Sequence, residues 1–117
     1  MALTLSNITF DCHDAAALAG FWSQLLDQPV APEANEYFAA VGGGALSPTL
    51  MFIQVPDKNP GKNVVHLDLS ASDWTEQIER AISLGAKQVG ENNQQGLHWV
   101  TLADPEGNLF DIAQAHD

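Results

Sequence analysis

Positive charge is scarce in this chain. Four Lys and Arg residues stand against fifteen Asp and Glu residues, a formal net charge of −11 over 117 residues. Non-specific binding to nucleic acid works by replacing phosphate counterions with basic side chains, so the composition excludes that role. An acidic surface serves solubility, and it also attracts cationic ligands over about one Debye length, ~8 Å at physiological salt. Cysteine is nearly absent. Cys12 alone cannot form an intrachain disulfide, and a zinc site built from clustered cysteines is excluded with it. A single thiol fits a reducing cytosol, so a cytoplasmic location is expected. No run reaches the ~18 apolar residues of a membrane helix, and the first residues show no basic region followed by a long apolar stretch. A soluble, non-exported protein with no membrane partner is the expectation. The Gly-x-Ser-x-Gly elbow of serine hydrolases is missing, and Gly42-Gly43-Gly44 lacks the Lys-Ser/Thr pair of a phosphate loop.

What remains is ordinary globular material with 45% apolar residues, enough for one domain that buries roughly two-thirds of its unfolded surface. Residues 3–12 alternate, with Ile8, Phe10 and Cys12 on one side and Leu5, Asn7, Thr9 and Asp11 on the other. That is the period of a strand with one face against a helix layer. Asp14 suits an N-cap, and Leu18, Phe21, Trp22 and Leu25 form the apolar stripe of a helix over 14–26. Between Gln28 and Pro56, short strand-like runs at 37–41 and 49–55 are broken by Pro29, Pro32 and the glycine run. Three short strands are expected there.

The pattern then restarts. Val65, Leu67 and Leu69 alternate with His66, Asp68 and Ser70. Asp73 with Glu76 predicts a capping arrangement, Trp74, Ile78, Ala81 and Ile82 repeat the helical stripe, and Gly85 ends it. Strands are predicted over 87–89, 97–102 and 109–113, with a loop at 92–95. Asn7 and His66, Thr9 and Asp68, and Asp14 and Asp73 stand at one constant offset, so strand, helix and three strands are written twice. The order points to an α+β domain with helices on one face of curved sheets.

Near the C-terminal end, Asp104-Pro105-Glu106-Gly107-Asn108 separates two apolar runs. Pro105 presets the first corner of a turn, Gly107 tolerates positive φ, and Asp104 and Asn108 can accept from local backbone donors. A hairpin follows, and its second strand carries one acidic side chain, Asp111.

Three stretches together resemble the vicinal oxygen chelate superfamily, which includes glyoxalase I, extradiol dioxygenases, fosfomycin-resistance enzymes and bleomycin-binding proteins. They are Asp14 through Phe21-Trp22 to Leu25-Leu26, then Lys62-Asn63-Val64-Val65-His66-Leu67-Asp68-Leu69, and finally Leu102-Ala103-Asp104-Pro105-Glu106-Gly107-Asn108. The second is similar to the start of the second module in small bacterial glyoxalase-like proteins. The resemblance implies an α+β fold of two tandem βαβββ modules whose curved sheets form a cleft with helices outside. A single domain over 1–117 is implied, with module one about 1–56, a linker at 57–62 and module two about 63–117. It also implies a homodimer, because members often match or exchange modules between chains.

Metal-dependent members place a ligand on the first strand of each module and an acidic ligand on each last strand. Carried over by position, those slots are Asn7, Phe52, His66 and Asp111. His66 and Asp111 are acceptable metal ligands, Asn7 is a weak neutral donor, and Phe52 cannot coordinate. Moving the strand by two residues puts Gln54 in the slot instead. Asp68 lies on the face of His66 and would contribute or orient the imidazole. A structural reading is open for each: His66 as a pocket-wall or interface histidine held by Asp68, and Asp111 as a carboxylate satisfied at a cleft mouth. No resident cofactor is expected from this half-filled set, with a divalent metal on His66 and Asp111 as the alternative.

The expected function is binding of a small organic molecule, in the drug-sequestering style of the bleomycin-resistance proteins. The implied pocket wall comprises Leu5, Asn7, Thr9, Phe52, His66, Asp68, Leu109 and Asp111, with Trp99 as a stacking platform. A cationic, planar ligand would suit an aromatic surface in an acidic protein. The alternative is a metal-dependent isomerase, lyase or dioxygenase with Asp68 or Asp111 as base. A third is a non-catalytic partner-binding dimer with a vestigial cleft.

Overall fold

The computed structural model describes residues 7–42, 48–56, 66–94 and 96–114. Residues 3–6 with Leu5, Gly43-Gly44, the 57–62 linker, and the start of the second module at 63–65 lie outside the described residues. The chain divides into two compact units, Met1–Asn59 and Pro60–Asp117.

The first unit runs β1 (Asn7–Cys12), α1 (Ala15–Leu26), β2 (Phe38–Val41) and β3 (Thr49–Gln54). Its sheet has the order β1-β3-β2, with β1 and β3 parallel and β2 antiparallel to β3. The expected third strand of this half is reduced, among the described residues, to an isolated bridge between Val30 and Val41. Pro29 and Pro32 flank it and deny a longer ladder two of its donors. Asp14 caps α1 as its sequence position predicts, accepting from the Ala17 N–H at 3.1 Å. The helix ends on Asp27 in the left-handed region (φ 53°).

The buried face of α1 carries Leu18, Phe21, Trp22 and Leu25. It covers the sheet face that holds Phe10, Cys12, Leu50, Phe52, Ala39 and Val41. Phe10 joins the two layers, its ring centroid 5.7 Å from Trp22 and 5.1 Å from Phe52. Asn7, Thr9, Thr49, Met51, Ile53 and Ala40 occupy the other face, because paired strand residues share a face and successive residues alternate.

The second unit runs β4 (Leu67–Ala71), α2 (Trp74–Leu84), β5 (Lys87–Gln94), β6 (Leu97–Ala103) and β7 (Leu109–Gln114). The sheet order is β4-β7-β6-β5, and again the first and last strands pair in parallel. The segment 92–95, expected as a loop, instead extends β5 as far as Gln94, with Asn92 paired to Trp99 and Asn93 to His98. Its polar residues have low strand propensity, but the antiparallel ladder with β6 overrides that preference, and Gly96 at φ +80° turns the chain.

Asp73 is the N-cap of α2, yet its side chain makes no capping bond; it accepts from Gln77 Nε2 at 3.1 Å instead. Gly85 ends the helix at φ +125°, where a Cβ would stand 3.4 Å from Pro105 Cγ. Ile78 and Ala81 are the buried side of α2, and the Trp74 ring meets His98 at 4.8 Å. His98 shares its face with Val100 and Leu102, which pair with the buried Ile112 and Phe110. The helix therefore covers that face and leaves the opposite one uncovered by α2. No helix among the described residues is long and apolar enough to cross a membrane.

Asp104 fixes the β6–β7 hairpin. Only 4% exposed, its Oδ1 accepts from the Glu106 and Asn108 backbone N–H groups, both at 2.9 Å, and Asn108 Nδ2 reaches Oδ2 at 2.9 Å. The Gly107 N–H donates to the Asp104 carbonyl at 2.9 Å, closing the turn that Pro105 begins. Asp104→Ala removes the buried acceptor of these three part-buried hydrogen bonds and is expected to cost about 2 kcal/mol of stability, read as a lowered denaturation midpoint.

Candidate functional site

The uncovered face of the second sheet gathers the polar side chains. His66 immediately precedes β4 and Asp68 lies two residues on, so both project to one side. Asp68 pairs with Asp111 across the parallel β4–β7 ladder, and Asp111 pairs with Thr101 across β6–β7. All of these side chains therefore sit on the face opposite Phe110, Ile112 and α2.

The distances tie them into a cluster. His66 Nε2 stands 3.4 Å from Asp68 Oδ1 and 3.4 Å from Asp111 Oδ2. Thr101 Oγ1 donates to Asp111 Oδ1 at 2.6 Å. One oxygen of Asp111 is thus committed to the hydroxyl, and the other faces the imidazole. Side-chain exposure is 16% for Asp111 and 75% for Asp68, so one carboxylate is fixed and the other is free to swing. Possible ligand atoms of His66, Asp68 and Asp111 all lie within 4.8 Å of one another. Trp99 shares this face, half-buried between Ala113 and Asn92.

An imidazole nitrogen and two carboxylates make an anionic, oxygen-rich cluster on an already acidic protein. The donor set suits zinc, manganese, iron or nickel, and equally a positively charged organic group. The ladder register brings His66, Asp68, Asp111 and Trp99 onto one face of the second sheet.

The remaining sequence candidates lie elsewhere. Phe52 is fully buried on the α1 side of the first sheet, packed on Phe10, and Gln54 pairs with Cys12 on the same side. Gln54 also spends its amide on the His13 carbonyl, at 2.8 Å. The register places Met51, one residue before Phe52, opposite Thr9 and Ala40. Met51 is therefore the first-unit counterpart of Asp111, and Ala40 the counterpart of Thr101. Asn7 and Thr9 do share the uncovered face of their own sheet, where Asn7 Nδ2 donates to Thr9 Oγ1 at 3.0 Å. His98 belongs to the helix-covered side, with Nε2 2.7 Å from Glu91 Oε2.

Sequence reasoning did not single out Thr101. A threonine in a strand carries no signal of its own, being a common β-former. Counting back from the Asp104–Asn108 turn would have found it: Ala103 faces Leu109, so Thr101 faces Asp111.

The profile of the glyoxalase-like domain family matches residues 7–113. No curated protein matches the chain. Among solved structures, the chain is similar to a glyoxalase/bleomycin resistance protein/dioxygenase family enzyme from Burkholderia phytofirmans, with TM-score 0.81 and 16% identity, covering 97% of this chain and 100% of that one. A genomically encoded fosfomycin resistance protein, FosX, from Listeria monocytogenes matches with TM-score 0.76 and 16% identity over 99% of this chain and 96% of its own. TioX from a Micromonospora species matches with TM-score 0.67 and 15% identity over 95% and 98%. At such identities these likenesses establish the fold alone.

Proposed function

The chain belongs to the glyoxalase-like domain family, within the vicinal oxygen chelate superfamily, and from that membership we propose that it binds a small organic molecule on the uncovered face of its second sheet. The observation that carries the reading is the convergence of His66, Asp68 and Asp111 beside the half-buried ring of Trp99. A flat apolar surface next to a few convergent polar groups is what a ligand site requires. The local charge favours a cationic, planar molecule, bound by stacking on Trp99 and by ion pairing to the carboxylates. Sequestration of a drug in the bleomycin-resistance style is the form this takes. Asn7 and Thr9, on the uncovered face of the first unit, are proposed to offer ligand contacts of their own; Phe52, with no exposed surface, is not.

Calorimetric titration against a panel of cationic antibiotics, with bleomycin and the anionic fosfomycin included, tests the reading. Micromolar binding of a planar cation, weakened about tenfold by Trp99→Ala, is expected. A well-folded protein that binds no member of the panel would argue against sequestration.

The mutual approach of the His66, Asp68 and Asp111 donors within 4.8 Å favours a second reading, a metal-dependent isomerase, lyase or dioxygenase. A divalent cation held there would polarise a substrate oxygen. Around it, Asp111 would be held in place by Thr101, and the exposed Asp68 would be placed to take a proton. Elemental analysis of protein purified without chelator tests this: a stoichiometric metal that disappears in His66→Ala would favour it over sequestration. We also propose that the protein is a homodimer, since Phe38 and Ile53 are exposed near the β2 edge of the first sheet. Analytical ultracentrifugation is expected to give the mass of two chains.

A further inference from the structure

Resting on the small-molecule reading above, we propose that Gly90 determines specificity on the uncovered face of the second sheet. It keeps the strip beside Trp99 clear of a side chain, so that a fused polycyclic cation lies across β5 and β6.

β5 reaches this arrangement by a bulge. Lys87 faces Ala103 and Gln88 faces Leu102, and an unbroken ladder would then set Val89 opposite Thr101. The register slips by one residue, and Gly90 takes that place instead, with Val89 left as the extra residue of the bulge. The slip carries on along the strand. Asn92, not Glu91, stands opposite Trp99, and Glu91 pairs on the helix side, where its Oε2 meets His98 Nε2 at 2.7 Å. The bulge thus exchanges a branched side chain for none opposite Thr101, and a carboxylate for a neutral amide opposite Trp99. Bulges are over-represented beside sites, where they re-aim side chains in this way.

Neither backbone conformation nor packing calls for a glycine at that position. Gly90 lies outside the left-handed region that glycine adopts most freely, unlike Gly85, Gly96 and Gly107. A Cβ built on it would meet Thr101 Cβ at 3.9 Å, which is ordinary van der Waals contact. That contact also shows that a side chain here would rise on the Thr101 face. A glycine inside a strand forgoes cross-strand packing and costs backbone entropy. The sheet is therefore weakened at Gly90 with no local cause, as happens where something from outside the strand approaches the backbone closely.

The open strip suits a flat molecule. Gly90 is diagonal to Trp99 across the β5–β6 ladder, about 7–8 Å away and within reach of a ring stacked on the indole. A cation confined to the Trp99 ring would be indifferent to a side chain at position 90. A broader fused ring system, stacked on Trp99 and continuing over Gly90, would collide with one.

Calorimetric titration of the full-length chain with proflavine, a fused tricyclic cation, tests this beside thermal unfolding of the same variants. Gly90→Val should weaken proflavine binding about tenfold or more, and Gly90→Ala by less, while both raise the thermal midpoint by about 2–4 °C. Gly20→Ala is the control. Its Cβ would meet nothing within 4 Å on α1, so it should stabilise to a similar degree and bind proflavine within about twofold of wild type. A Gly90→Val chain that binds as tightly as wild type would overturn the proposal. So would one whose affinity falls together with its midpoint, since the glycine would then serve the fold. Either result leaves the small-molecule reading standing. A wild-type chain that binds proflavine no more tightly than Trp99→Ala would remove stacking on Trp99, and the role of Gly90 with it.

Discussion

Phe52→Ala is expected to lower the unfolding free energy by about 3–5 kcal/mol, the range for truncating a fully buried aromatic ring. Phe52 has no exposed surface, and its ring lies 5.1 Å from Phe10, which in turn stacks toward Trp22 at 5.7 Å. Its ladder neighbour Ala39 is too small to fill the space, and the backbone on both sides is tied into β1 and β2. The cavity would therefore persist. Urea unfolding followed by tryptophan fluorescence measures the loss, because Trp22 packs on Phe10, the ring that Phe52 touches. Phe52→Leu, which keeps most of the volume, should cost roughly 1 kcal/mol. The same variants should leave Mn²⁺ affinity at the second unit unchanged. A Phe52→Ala protein as stable as wild type but impaired in ligand binding would instead return Phe52 to the pocket wall.

The placement of Phe52 shows where the sequence stops being readable. In β1 the alternation of Ile8, Phe10 and Cys12 with Asn7, Thr9 and Asp11 marks both faces, and the structure agrees at each position. In β3, Leu50, Met51, Phe52 and Ile53 are all apolar, so period two leaves no mark and only pairing with β1 decides which of them face the helix. In β7 the single carboxylate of Asp111 breaks the apolar run and reveals the face at once.

Caps divide in a similar way. Asp14 does what its position promises, whereas Asp73 has the position without the bond, because Gln77 one turn on competes for its carboxylate. The helical stripes, the Asp104–Asn108 turn and the duplicated strand-helix order were all legible, since each rests on local chemistry. In the candidate site, the His66–Asp68 pairing was legible because two residues on one strand share a face. The approach of Asp111 and the bond from Thr101 depend on which strands are neighbours, and no local pattern states that. The strand extension through Asn92 and Asn93 was hidden for the same reason: its partners lie across the hairpin on β6.

His66→Ala is expected to weaken Zn²⁺ and Mn²⁺ binding by more than about 100-fold, beyond the 10–100-fold that loss of an outer partner of a metal ligand costs. His66 Nε2 is the group that faces both carboxylates, and without it Asp68 and Asp111 are left as like charges across a gap. Selectivity should shift as well. Imidazole suits zinc, nickel and iron, whereas a purely carboxylate site suits magnesium, calcium and manganese. Zn²⁺ affinity should therefore fall further than Mg²⁺ affinity, and competition titration of the two ions measures the ratio directly. Thr101→Val provides the graded comparison. It removes the 2.6 Å bond to Asp111 Oδ1 while keeping a β-branched side chain of similar shape, so the ligand remains but loses its fixed orientation. An affinity loss of about tenfold, with the Zn²⁺ to Mg²⁺ ratio retained, is expected there, and Thr101→Ser should restore most of it. Equal losses for both ions in His66→Ala would mean that the imidazole contributes bulk to the face and not a ligand nitrogen.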